Sequence, residues 1–238
     1  MSAMVARRPL SALKSALVAH GSRPRRVPIG LYAGLTLEID LASQTQLYLG
    51  LWERETHPFL RRAIATSRWL IDVGAGSGEL VLAFLRDRPA GHVWAIEPSD
   101  AGRRAIERNL ALNPDLPAAN VTIVSELAGA REGPGVVCLD RLPLPIETPG
   151  LVKIDVDGAE LDVLRGAEGL LQRAGVKLLI ETHAQELEEQ CLALLGEHGY
   201  QYEIVRNAWW RAIVPEHRPG PHNRWLVAWR ERDPARRT

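Results

Sequence analysis

Short apolar runs spaced by stretches of helical periodicity organise this chain. Trp69 to Val73, His92 to Pro98, Val121 to Ser125, and the run from Leu151 to Val156 are continuous enough to read as buried strands. Val176 to Ile180 continues the set, and Gln201–Val205 with Arg224–Trp229 reads as a terminal antiparallel pair. Between them, Leu80–Leu85, Ala101–Leu112, Leu161–Leu171 and Ala184–Glu197 carry apolar positions at helical spacing. Ser99 or Asp100 can cap the second of these, and Asn113-Pro114 ends it. Strand alternating with helix predicts an α/β domain over residues 29–230.

Ahead of the first buried run, Leu35, Leu37, Ile39 and Leu41 alternate with Thr36, Glu38 and Asp40. This predicts a half-buried strand, paired in a hairpin with Gln46–Leu49, and a helix over Phe59–Ile64. Residues 1–28 form a basic arm (Arg7, Arg8, Lys14, Arg23, Arg25, Arg26), with no acid before Glu38. A partly disordered, solvated arm is expected, although a transit peptide shares this composition. An Arg-rich tail, 231–238, is expected to fray.

Chemistry concentrates where the first buried run ends, at Asp72-Val73-Gly74-Ala75-Gly76-Ser77-Gly78. Glycines there let the chain turn sharply and a ligand approach the backbone, and the following helix offers unpaired N–H groups. The dinucleotide fingerprint needs its third glycine one place later, where Glu79 stands. Asp72 would repel a pyrophosphate but suits an ammonium. The stretch resembles the D-x-G-x-G-x-G turn of class I S-adenosylmethionine (SAM) methyltransferases. Glu97 closes the second strand about 20 residues on, where a carboxylate can take both ribose hydroxyls; Pro98 and Ser99 follow it. Ser125, Glu126 and Leu127, after the third strand, are candidates to border the adenine, and Glu53 beside Trp52 is a candidate to fold over the cofactor.

A second dense stretch is Lys153-Ile154-Asp155-Val156-Asp157-Gly158-Ala159-Glu160. Charged residues in a sheet centre need partners, and Lys153 and Asp155 read either as an ion pair that orders the site or as part of its chemistry. Together with Val163–Ala167, Leu179-Ile180-Glu181-Thr182-His183 and Gly50–Glu55, this stretch makes the chain resemble the FkbM family of SAM-dependent methyltransferases from about Gly30 to Trp229. Asp157 stands where that family usually has Glu, and Gly76-Ser77 replaces its usual Asn-Ile. The resemblance implies a Rossmann-like class I fold: a seven-stranded, mostly parallel sheet with helices on both faces, here with an N-terminal hairpin and helix extension. It also implies SAM as methyl donor, S-adenosylhomocysteine as product, and transfer to a hydroxyl of a sugar or natural product.

In that setting Asp155 is the candidate base or acceptor-orienting group, Lys153 tunes it by charge, and His183 is the rival base. Asp157, Glu181, Trp209, Trp210 and His222 are candidates to meet the acceptor. Asp155, Asp157, Glu181 and His183 also make an oxygen-rich set suited to Mg²⁺ or Mn²⁺, but the resemblance does not require a metal and none is expected.

Charge then narrows the partners. Lys and Arg number 29 and Asp and Glu 29, for a formal net charge of zero, so bulk electrostatic capture of nucleic acid or membrane is not expected. No apolar run is long enough to span a bilayer. Cys138 and Cys191 lack metal-like spacing, and a cytoplasmic protein with a small-molecule acceptor is expected; homo-oligomerisation is left open. The alternatives are an RNA methyltransferase gripping phosphate with its basic arm, a non-catalytic SAM-binding protein and, disfavoured by the glycine spacing, an NAD-binding oxidoreductase.

Overall fold

The computed structural model describes residues 21–145, 148–206 and 223–230. Residues 1–20, Trp209, Trp210, His222 and the tail from 231 lie outside them. Strands β3 (Trp69–Val73), β4 (His92–Ile96), β5 (Val121–Val124), β8 (Gly150–Ile154), β9 (Val176–Thr182), β10 (Gln201–Val205) and β11 (Arg224–Trp229) form a seven-stranded sheet in the order β10-β11-β9-β8-β3-β4-β5. Only β11 runs antiparallel to its neighbours; the other pairings are parallel. Two short strands, β6 (Leu127–Ala128) and β7 (Val136–Val137), pair outside this sheet.

The sheet is covered on both faces because its strands feed two apolar layers at period two. Leu70, Val93, Ala95, Leu151 and Leu179 pack with helices α2 (His57–Thr66), α3 (Glu79–Asp87) and the Ile106 face of α4 (Asp100–Ala111). Ile71, Val73, Trp94, Ile96, Val152, Ile154 and Ile180 pack against α5 (Glu160–Arg165), α6 (Glu168–Leu171) and α7 (Gln185–Glu197). The helix expected over Leu161–Leu171 is broken into α5 and α6 at Gly166, where a Cβ would stand 2.0 Å from the Gly129 carbonyl. Among the described residues no helix is long and apolar enough to cross a membrane.

The N-terminal hairpin has a different partner from the one expected. β2 (Thr36–Ile39) buries Leu37 and Ile39 as its alternation requires, but pairs antiparallel with β1 (Arg23–Arg26). Part of the expected basic arm is therefore a strand. Gly30 and Gly34, both at positive φ, make the reversal between β1 and β2. Beyond β2, Asp40 accepts the Ala42 N–H at 2.9 Å and caps helix α1 (Leu41–Tyr48), which takes up the supposed second strand. No Gly, Pro or Asn lies between Leu41 and Gln46 to turn the chain back.

Two asparagines of α4 and its C-terminal end seal the other edge of β2. Asn113 Oδ1 accepts the Thr36 N–H at 2.9 Å, and its Nδ2 donates to the Thr36 carbonyl at 2.7 Å. Asn109, 1% exposed, accepts the Glu38 N–H and donates to the Ser77 carbonyl, both at 2.8 Å. It thus ties the hairpin to the glycine turn. Asn109→Ala should lower stability by about 1–3 kcal/mol, because it strands two backbone groups, seen as a lower urea midpoint at unchanged slope.

Candidate functional site

The glycine turn leaves β3 with Gly74, Gly76 and Gly78 at φ 75, 55 and 82°. Gly74 is also a steric requirement, since a Cβ there would lie 2.0 Å from the Asp155 carbonyl oxygen. At Gly76 a Cβ would meet nothing within 4 Å; its N–H donates to Glu97 Oε2 at 2.9 Å. The other oxygen of Glu97 accepts from the Ser99 N–H at 2.9 Å and from Ser99 Oγ at 2.6 Å. Ser99 Oγ in turn accepts the Gly102 N–H and caps α4. Gly102 lets α4 come this close, because a Cβ there would lie 2.6 Å from Glu97 Cδ. The Pro98 carbonyl accepts from Arg103.

Beside the turn lies a cavity of about 230 Å³. Gly74, Ala75, Gly76 and Ser77 line one side, Asp72, Lys153 and Asp155 a second, and Tyr32, Gln44, Trp52 and Glu53 a third. The charged side follows from strand periodicity. Asp72 and Lys153 are register partners on β3 and β8, and Asp155 repeats the parity of Lys153. Lys153 Nζ stands 3.1 Å from Asp155 Oδ2, 3.8 Å from Asp72 Oδ1 and 5.8 Å from the centre of the Trp225 ring.

Burial works against the charge on Lys153, but Asp155, Asp72 and Glu53 outweigh it and hold its pKa well above the usual lysine range. Burial alone would raise Asp155, yet Lys153 and a hydrogen bond with Glu181 bring it below the usual carboxylate range. Asp72 goes the other way. Burial pushes it up to about 6 against the weaker pull of Lys153, and its Oδ1 has no hydrogen-bond partner among the described residues.

The third side comes from the N-terminal segment. Glu53 is buried and sits at φ 48°, the one positive-φ residue other than glycine among the described residues. Such a conformation costs about 1–3 kcal/mol and persists where the surroundings enforce it. Here the Glu53 carbonyl accepts from both Thr56 N–H and Thr56 Oγ1. Tyr32 is buried, its hydroxyl pKa raised by burial and by Glu53 and Glu79. Its ring meets His57 edge-on at 5.9 Å. Burial lowers His57 to about 4 despite its hydrogen bond with the Trp52 carbonyl.

A separate, open hollow of about 680 Å³ is bordered by Asp157, Gly158, His183, Glu186 and Leu187. His183 Nδ1 is 2.5 Å from Oε1 of the fully buried Glu160, and its Nε2 is 3.5 Å from the exposed Asp157 carboxylate. The Glu160 hydrogen bond is the main reason the His183 pKa is raised. Glu181, buried, accepts from Asn223 at 3.4 Å.

Of the residues expected at the site, Glu53, Asp72, Gly74, Ala75, Gly76, Lys153 and Asp155 share the cavity, and Glu97 joins it through the Gly76 N–H. Gly78 serves the turn and packs toward Ile106. Ser125, Glu126 and Leu127 are exposed beyond β5 and do not line the cavity. Asp157 does not continue β8, which ends at Ile154. Tyr32, Gln44 and Glu160 were missed. Tyr32 and Gln44 reach the cavity only through the fold of the N-terminal segment. Glu160 lies within the quoted motif, but its partner is 23 residues away.

No curated protein sequence matches the chain. Among solved structures, a methyltransferase FkbM from Methylobacillus flagellatus aligns at TM-score 0.54 and 18% identity, covering 93% of this chain and 58% of that one. The chain therefore spans little over half of that structure. A SAM-dependent O-methyltransferase from Thermotoga maritima aligns at TM-score 0.50 and 16% identity, with coverage of 76% and 66%. A ribosomal protein L11 methylase from Lactobacillus delbrueckii subsp. bulgaricus gives 0.50 and 16%, with 77% and 80%. At such identities these show a shared methyltransferase fold. The sequence profile of the methyltransferase FkbM domain matches residues 131–202, which hold Lys153–Glu160 and Leu179–His183. That segment of the chain is similar to the FkbM methyltransferase domain, and it is set in a fold shared with methyltransferases.

Proposed function

We propose that the protein transfers a methyl group from SAM to a hydroxyl of a small molecule of the sugar or natural-product kind. The family and the fold support a SAM-dependent methyltransferase. One observation carries the finer reading: a single cavity joins the glycine turn, the buried Asp72 and the strand-end Asp155.

The residues present fit such a cofactor. Asp72 Oδ1 is a buried acceptor with no hydrogen bond among the described residues, suited to an ammonium. Glu97 Oε2 accepts one hydrogen bond, from Gly76, and a carboxylate oxygen has room for a second, suited to a ribose hydroxyl. The space above Gly76 is open to a ligand lying on the turn. Tyr32, Gln44 and Glu53 would close over it.

Bound there, SAM supplies an electrophilic sulfonium methyl and leaves as the neutral thioether S-adenosylhomocysteine. The chain's own task is alignment and proton removal. Asp155 lines the cavity, and its carboxylate lies within 4.8 Å of a ring nitrogen of His183, which borders the open hollow. Lys153 keeps Asp155 ionised, so it can accept the hydroxyl's hydrogen bond and then its proton. His183 borders the hollow. Glu160, behind it, fixes the ring.

Calorimetric titration with SAM should show one site. Glu97→Ala should weaken it by about 1–3 kcal/mol through lost charged hydrogen bonds. Gly102→Ala keeps the carboxylate but displaces it, and should weaken binding in the same direction. Asp155→Asn should leave SAM binding in place while lowering turnover about 10²–10⁴-fold in an acceptor screen.

The pH dependence of binding checks Asp72 separately. Its pKa of about 6 in the free protein means that below that pH it carries a proton and cannot pair with an ammonium. SAM affinity should therefore be greatest above pH 6 and fall as pH drops through it, by up to about tenfold per unit. In Asp72→Asn the profile should be flat and the affinity low throughout.

A further inference from the structure

Asp155, Glu181 and His183 each offer one ligand atom, and these atoms lie within 4.8 Å of one another. An ion with bonds of about 2.1 Å spans donors up to about 4.2 Å apart, so small side-chain rotations close the set. Two carboxylates and one imidazole, without thiolate, suit Mg²⁺ or Mn²⁺.

A group outside the donor set points the same way. Glu160 is fully buried and takes Nδ1 of His183 at 2.5 Å, which leaves Nε2 as the imidazole's free donor. A carboxylate held behind a histidine in this way is the usual support of a metal-bound imidazole. The second oxygen of Glu160 is sealed from solvent and has no hydrogen-bond partner among the described residues. Asp157 stands 3.5 Å from Nε2. The neighbouring cation, Lys153, is held by Asp155 on one side and faces Asp72 on the other. The open hollow beside His183 and Asp157 gives an ion a route in.

We propose that Asp155, Glu181 and His183 hold a divalent cation, Mg²⁺ or Mn²⁺, whose remaining positions face the hollow and take the acceptor's oxygens. Its use in catalysis rests on the function proposed above; its binding does not. The sequence offered these residues, with Asp157, as a candidate ligand set, but gave no reason to prefer it.

The test is titration of EDTA-stripped full-length protein with MnCl₂, followed by electron paramagnetic resonance and without SAM. One saturable Mn²⁺ is expected, with a dissociation constant below about 1 mM and a nitrogen coupling from imidazole. His183→Gln should abolish that coupling. Glu181→Gln and Glu160→Gln should each weaken binding by about tenfold or more, in protein whose circular dichroism matches the parent. Absence of saturable binding, absence of nitrogen coupling, or equal affinity in folded variants overturns the site. A SAM titration of the same stripped protein keeps the two readings apart. SAM binding without Mn²⁺ binding overturns the metal site alone, and Mn²⁺ binding without SAM binding overturns the cofactor reading alone.

Discussion

Lys153 is a cation in the middle of a sheet, and the rest of the site is arranged to keep it there. Taking an ammonium out of water costs several kcal/mol even after relaxation. Here two carboxylates from adjacent strands offset that cost, one at 3.1 Å and one at 3.8 Å. Neither acid could stay charged at that depth without the lysine, nor the lysine without an acid. The register of β3 against β8 brings Asp72 opposite Lys153. A slip of one residue would turn these groups toward the opposite apolar layer.

The same lysine divides two aspartates into two chemical kinds. Asp155 is the closer, is only part-buried and shares a hydrogen bond with Glu181, so its pKa falls. Asp72 is farther away and almost completely buried, so its pKa rises to about 6. One is held as an anion on the cavity wall; the other, on the same wall, titrates at about 6. Pairs of like groups pushed apart by their surroundings are the usual sign of divided labour at a site. The strained Glu53 adds a further carboxylate on the opposite wall, its geometry fixed by Thr56.

Much of the sheet was legible in the sequence because each central strand is a continuous apolar run covered on both faces. β3, β10 and β11 fall on the residues expected, and Glu97, picked out by spacing and strand-end position, accepts the Gly76 N–H of the glycine turn. The hairpin was half legible. The alternation of Leu37 and Ile39 identified the strand but not its partner. That choice is made by Gly30 and Gly34 on one side and the Asp40 cap on the other, features weaker than an apolar pattern. The third wall of the cavity was not legible at all. Nothing local marks Tyr32 or Gln44, which become neighbours of Asp72 only when the N-terminal segment crosses the sheet edge. Ser125 to Leu127 shows the reverse error. A strand-end position suggested contact with a ligand, but in the structure these side chains face outward.

The division of the chain explains why its fold says so little about its acceptor. β3, β4 and the glycine turn belong to a fold that a T. maritima O-methyltransferase and a ribosomal protein L11 methylase share in outline. A fold common to enzymes named for such different acceptors cannot discriminate between them. A second group of charged residues, Lys153, Asp155, Asp157, Glu160, Glu181 and His183, lies at and just beyond the carboxyl ends of β8 and β9. The FkbM match, residues 131–202, covers that group and not the glycine turn. The segment similar to the FkbM domain is therefore the one that holds Lys153, Asp155 and the buried Glu160–His183 pair.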